Sequence, residues 1–447
     1  LVCVDETWAR TAMLLARIDA ADPAATREAA DDLGEVPPFE RCARGSLPAV
    51  PEDLPADTRV RYEDLSKQIQ TIERETTLKP RERTAKLRAL APAIEALHYP
   101  PLDARWHWGI GHTLNDATDS AGAAAEFDLA AQAGLAAGDD NLYVRALIME
   151  LNLVSTTASP ERIAQLESQA QAGAKRLANP QVDAELARSR AVLYMDRGEL
   201  AKSRELFEQA DALYSKLAIA PMTMHIAVLQ NLGAVCLESG DLDAAERALD
   251  RAVDLSRRRF TEQGAFYWET RAARGTVYLA RRDFTRAEAE MRAAADGLER
   301  TAPDGTQLGR LRAYICMLLR VRKDYGGARA ECAASLAAIR TTVGPDSPHE
   351  VWTLYQSGHV ELAAEDYAGA LGFLERAVAL AKHDSVRPIE RATAQTYLAI
   401  ALLGAKRIPQ ARALAAKIAP VLRGPELEES RGDFVRAFPD LAAQATP

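Results

Sequence analysis

Residues 232–252 read LGAVCLESGDLDAAERALDRA, and variants of this phrase return along the chain. Asp241, Asp283, Asp324 and Asp366 stand 42, 41 and 42 residues apart. Each is followed at once by a bulky apolar residue (Leu242, Phe284, Tyr325, Tyr367) and three residues further on by alanine (Ala245, Ala287, Ala328, Ala370). Eight residues before each Asp lies a small side chain: Gly233, Gly275, Cys316 and Gly358. Self-similarity at this period marks a stack of helix pairs instead of a compact enzyme fold.

Within one unit the pattern predicts a first helix over 224–239 and a second over 241–258. In the second, Ala245, Leu249, Ala252 and Leu255 follow the i, i+4, i+7 spacing of an apolar stripe. The acidic residue that opens it can cap the helix and complement its dipole. The small residues let two helices approach, and Tyr278, Phe207, Met291, Leu374 and Phe373 fill the remaining space. Gly275→Leu is therefore expected to disrupt a hairpin.

The same frame extends outward through Asp119, Ser159-Pro160 and Glu199-Leu200 upstream and Arg407-Ile408 downstream, which makes about eight pairs. The expected fold is all-α: an α-solenoid, wound as a right-handed superhelix, preceded by an N-terminal helical region. Four regions are expected. They are a helical hairpin with a proline-rich loop (1–56), long amphipathic helices broken at Lys79-Pro80 (57–99), the repeat array (100–424) and a capping helix (425–447). That last helix should end at Pro439 and show Glu428, Glu429 and Arg431 on its outer face.

These residues resemble tetratricopeptide repeats. The 232–252 phrase matches that pattern of small and large residues almost throughout, and 275–294 and 358–377 match nearly as well. The long period and the Gly344-Pro345-Asp346-Ser347-Pro348 joint resemble the long subclass of kinesin light chains and bacterial signalling proteins. A second resemblance covers Cys3 and the stretch Val36-Pro37-Pro38-Phe39-Glu40-Arg41-Cys42, with the prolines up to Pro55. It looks like the region after the membrane span in myxobacterial-type receptor serine/threonine kinases. That resemblance implies a non-catalytic sensor region on the extracytoplasmic side, with a cytoplasmic scaffold as the alternative. The chain opens on Leu1 instead of Met, which suits a fragment of a longer protein.

The 447 residues carry a net charge of −9 with arginines scattered among carboxylates, so the basic face of a nucleic-acid binder is missing. No apolar run reaches membrane-spanning length. Kinase signatures, a phosphate-binding loop and a nucleophile elbow are all absent from the sequence, so no catalytic residue and no cofactor is expected. His107 and His112, five residues apart, would splay by about 140° on a helix and cannot share a metal. Trp106 and Trp108 between them read as packing residues, and the Arg431-Gly432-Asp433 tripeptide as chance.

Cys236, Cys316 and Cys332 fall inside repeat helices, where cysteine acts as a small buried hydrophobe. Cys3 and Cys42 bracket two expected helices whose hairpin would bring them together. They form either a disulfide closing a loop of about 40 residues or two free thiols.

What remains is a partner-binding surface on the first helices of the repeats. Superposing repeats assigns to this groove Glu185, Arg188, Gln230, Glu269, Arg310, Trp352, Tyr355, His359 and Thr396. Trp352, Tyr355 and His359 lie at i, i+3 and i+7, a stripe suited to anchoring a peptide or partner helix. The bland alternative is that they pack against a neighbouring helix pair. A protein or peptide is the expected partner, and self-association through the ends or the groove stays open.

Overall fold

The computed structural model describes residues 54–446, apart from 76, 156, 218–221, 304–305, 384–385 and 425–426. The expected N-terminal hairpin, with Cys3 and Cys42, lies outside the described residues. Every regular element among the described residues is helical.

The chain divides into two compact units, residues 1–255 and 256–447. In the first, α1 (Ala56–Arg74), α2 (Pro80–Ala89) and the short α3 (Ala91–Glu95) precede the pairs. The break at Lys79-Pro80 falls where the sequence puts it. Pro92, however, interrupts the second expected helix, so a long rod is replaced by two short pieces. Leu65 and Ile69 bury against Leu87, Ile94, Leu102 and Ile110. Trp106 is buried there too, and its indole donates to the Leu87 carbonyl at 2.7 Å, so it is the packing residue it was expected to be.

The pairs of this unit are α4 (Pro100–Asp116) with α5 (Ser120–Ala136), α6 (Asp140–Val154) with α7 (Pro160–Leu177), and α8 (Pro180–Asp196) with α9 (Leu200–Tyr214). A fourth pair, α10 (Met222–Glu238) with α11 (Leu242–Phe260), contains the boundary between the units near its end.

The second unit continues with α12 (Ala265–Ala280) and α13 (Phe284–Thr301), α14 (Thr306–Val321) and α15 (Tyr325–Val343), and α16 (Val351–Ala363) and α17 (Tyr367–Leu380). It closes with α18 (Pro388–Gly404) and α19 (Ile408–Ile418), then α20 (Glu428–Ala437) and the single turn α21 (Ala442–Ala445).

One corner is reused in seven of these eight pairs. At the end of α10 the Gly240 N–H donates to Leu237 and the Asp241 N–H to Cys236, which closes the helix with a left-handed residue at Gly240. The Asp241 carboxylate then accepts the Ala244 N–H at 3.0 Å and opens α11. One residue thus finishes one helix and starts the next. Asp119, Asp283, Asp324 and Asp366 repeat the arrangement, while Glu199 and Arg407 keep the backbone corner without a side-chain cap. Because the backbone sets φ positive at the preceding position, Thr118, Arg282, Lys323, Glu365 and Lys406 adopt it without being glycine.

Sixteen residues separate each small first-helix residue from the side chain it faces. A Cβ on Gly233 would lie 2.6 Å from Leu249 Cγ, and one on Gly111 2.8 Å from Phe127. At Gly275 the nearest atom is Met291 Cγ at 3.0 Å, on a flexible chain, a looser contact than at Gly233 or Gly111. In the α14/α15 pair the same register holds Cys316 and Cys332, joined as a disulfide with Cα atoms 5.4 Å apart. This corrects the expectation that both are unbonded buried thiols: two small sulfur side chains facing each other fill the gap by bonding. Cys236 does remain a buried free thiol, its ionisation pushed up by burial.

The joint between α15 and α16 turns on Glu350, which is fully buried. Its carboxylate accepts from Arg340 at 2.8 and 3.0 Å and from the Asp346 N–H at 2.7 Å, with Arg376 3.2 Å away. The Gly-Pro-Asp-x-Pro joint is therefore held by a charge cluster that the sequence did not single out.

Candidate functional site

The first helices of the second unit carry an aromatic step and two unmatched charges. Trp352 on α16 packs edge-to-face on Tyr314 of α14, with ring centroids 4.5 Å apart, and both rings are half-buried. Arg310, one turn before Tyr314, is exposed and makes no hydrogen bond or ion pair among the described residues. Glu269 on α12 is half-buried without a counter-charge, and burial raises its carboxyl above the usual range.

The rest of the expected stripe is covered by the chain itself. Tyr355 is buried, which pushes its phenol up, and it stacks on Tyr397 of α18. His359 lies against the same Tyr397 ring at 4.0 Å and faces Arg320 at 3.2 Å, with Asp433 of α20 3.9 Å away. Arg320 donates to Nε2, which assigns the ring proton to Nδ1. Burial first, then Arg320, hold the imidazole well below its usual pKa, so it is neutral. The Tyr397 hydroxyl donates to Asp433 at 3.3 Å and Ser430 to Thr393 at 3.2 Å, which lays α20 on the first helix of the last pair. Thr396 is fully buried and its hydroxyl returns to the Ala392 carbonyl. The Arg431 guanidinium donates to the Leu422 and Gly424 carbonyls, so it ties α20 down instead of decorating an outer face. With Asp433 also engaged, the Arg-Gly-Asp tripeptide is part of the packing.

The first unit brings the other expected residues together. Glu185 accepts from Arg145 of α6 at 3.2 Å and from Gln181 at 3.1 Å. Arg188, one turn on, is half-buried and makes no ion pair. Both lie in the electrostatic surroundings of the Tyr214 hydroxyl. Gln230 is half-buried on α10. Beside it in the chain, buried His225 meets Asp211 at 2.7 Å, and Arg251 donates to the same carboxylate. Burial would raise the Asp211 carboxyl, but these two bonds outweigh it and hold the pKa at about 2.

Tyr314, Arg320, Arg145 and Tyr214 were not singled out in the sequence, and Asp433 stood out only within a tripeptide read as chance. Tyr314 occupies the position next to the superposed groove register, and Asp433 follows the array where no period predicts its contacts. His107 meets Glu126 at 2.7 Å whereas His112 packs edge-on against Phe127, so the two rings diverge. Among the described residues no group of three or more His, Cys, Asp or Glu is placed to hold a metal ion. No helix there is long and apolar enough to cross a membrane.

A tetratricopeptide-repeat family model matches residues 307–383, the span of the α14/α15 and α16/α17 pairs. A search of curated proteins returns no match. Among solved structures, the quorum sensor NprR from B. thuringiensis, in its apo form, superposes with a TM-score of 0.56 at 11% identity, covering 84% of this chain and 99% of that one. The tetratricopeptide-sensor protein PH0952 of Pyrococcus horikoshii, a signal transduction ATPase with numerous domains, gives 0.54 at 12% identity over 92% of this chain and 69% of its own. A Rap protein complexed with Competence and Sporulation Factor gives 0.51 at 12% identity over 87% and 99%. By fold this chain is a tetratricopeptide-like repeat protein built from packed helix pairs, and its direct family match lies in 307–383.

Proposed function

We propose that this chain is a protein- or peptide-binding repeat module whose first-helix face in the second unit takes the partner. The observation that carries this is the Trp352–Tyr314 step, with Arg310 one turn before Tyr314 on α14 and Glu269 on α12, another first helix of this unit. Aromatic side chains beside unmatched charges are the residues that anchor partners, whereas Glu290, Glu331 and Glu361 of this unit are already spent on neighbouring arginines. Of the expected groove residues in the second unit, Trp352, Arg310 and Glu269 remain open to a partner. Tyr355, His359 and Thr396 support the surface from beneath. The likeness to a Rap protein complexed with a factor is compatible with this reading.

The test is photo-cross-linking. A cross-linking residue at position 310 should yield adducts that Trp352→Ala abolishes. The same group at Gly372, on a second helix with open space around it, should yield none. Equal labelling at both positions would dismiss this face as the binding surface.

The wider reading is the sensor region of a receptor-type serine/threonine kinase on the extracytoplasmic side. It rests on the resemblance of Cys3 to Pro55, and the Cys316–Cys332 disulfide suits an oxidising compartment. Kinase motifs and an apolar span of about 20 residues encoded upstream would support it. A different catalytic domain there would redirect it to another multidomain enzyme.

A further inference from the structure

A cavity of about 450 Å³ opens in the first unit between the second helices α7 and α9, with α8 as its floor. Asp183, Leu186, Ala187 and Arg190 of α8 line it at i, i+3, i+4 and i+7. Glu185 and Arg188, which superposition assigned to the partner groove, lie roughly 180° away around the same helix at about 100° per residue. The cavity is therefore distinct from that groove, and its volume is one that small-molecule sites occupy.

The interior is apolar. Ala174, Leu186 and Ala187 are buried, and half-buried Leu213 of α9 closes the far wall. The two-residue connection 178–179 joins α7 to α8 through a left-handed Ala178, so the last turn of α7 stands across from the first turn of α8. This sets Lys175 on one wall opposite Asp183 on the floor.

Three charges border the space. Arg190 is spent on Glu167 at 2.7 Å. Lys175 and Asp183 pair neither with each other nor with another described residue. Asp183 is half-buried, and burial raises its carboxyl with no cation to offset it. A simple cation entering here would meet Lys175, and a simple anion would meet Asp183. A molecule that carries both charges close together satisfies both.

We propose that this cavity is a site for a free α-amino acid with an apolar side chain. The ammonium would lie on Asp183, the carboxylate on Lys175, and the side chain over Leu186 and Ala187 toward Leu213. This site does not rest on the partner face of the second unit.

Calorimetric titration of the full chain with L-phenylalanine, L-phenylalaninamide, N-acetyl-L-phenylalanine and L-serine tests it. Phenylalanine should bind saturably. Each analogue lacks one of the three contacts and should bind at least about tenfold more weakly. Asp183→Asn should erase the advantage of phenylalanine over its N-acetyl form, and Lys175→Gln its advantage over the amide. Both variants should melt like the parent, and a packing role would not give this crossed pattern. The proposal is overturned if phenylalanine does not bind saturably, or if any analogue matches it on the parent chain. It also falls if both variants keep the parent's preferences. Trp352→Ala should bind phenylalanine like the parent, and a loss there would move the site out of this cavity.

Discussion

Cys316 and Cys332 are bonded at the register where neighbouring hairpins set a glycine against a large side chain, as Gly233 faces Leu249 and Gly358 faces Leu374. One repeat thus replaces shape complementarity by a covalent bond. Closing a loop of 16 residues is worth roughly 3 kcal/mol in the chain-entropy model. Reduction should therefore lower the urea midpoint of the second unit, and Cys316→Ser/Cys332→Ser should abolish that response. Cys316→Gly/Cys332→Leu should recover part of the loss by restoring the pair used elsewhere. A midpoint indifferent to reductant would show that the bond adds nothing.

Gly233→Ala is expected to destabilise by about 1–3 kcal/mol, because the new methyl would sit 2.6 Å from Leu249 Cγ. Gly275→Ala should be milder, since Met291 can swing away. Thermal melts of the two variants compare them directly, and equal losses would contradict the clearances.

Glu350→Ala should be among the most damaging single changes, at about 3–5 kcal/mol, because it strands Arg340 and Arg376 around a fully buried position. Arg376→Ala should be milder, since Arg340 would still neutralise the carboxylate. Denaturant unfolding distinguishes the two, and a Glu350→Ala chain as stable as its parent would contradict the arrangement.

The second unit should lose stability in mild acid. His359 is neutral when folded, with a pKa well below the usual 6.5, whereas the unfolded chain takes up the proton near that value. The unfolded state therefore binds more protons just below pH 6.5, and stability falls as pH drops through that window. The slope reaches at most about 1.4 kcal/mol per pH unit. Burial and Arg320 both oppose the proton, which sets the sign. His359→Gln should flatten the profile between pH 6.5 and 5, and an unchanged slope would assign it to another group.

The hairpins were legible because their signals are local: an Asp cap, a small residue eight positions earlier, an apolar stripe. Helix ends followed within two residues at 222–238 and 242–260. The disulfide was not legible, since a small residue at Cys316 satisfies the packing pattern whether or not Cys332 faces it. The surface was read in register but not in exposure. Superposition placed Trp352, which is half-buried against Tyr314, yet it had no means of knowing that Asp433 and Ser430 would bring a helix over His359 and Thr393.

The corner at Gly240-Asp241 has a bearing on how such a chain can change. Where one residue ends one helix and begins the next, three residues separate the helices in each of these seven corners, and likewise at Gly138-Asp139 between α5 and α6, and none is spare. The connections between successive pairs run instead from two residues (178–179) to seven (344–350). Insertions and deletions should therefore survive in the longer connections between pairs and be eliminated at the three-residue corners. Lineages that carry this repeat would then diversify in those connections while the corners stay invariant.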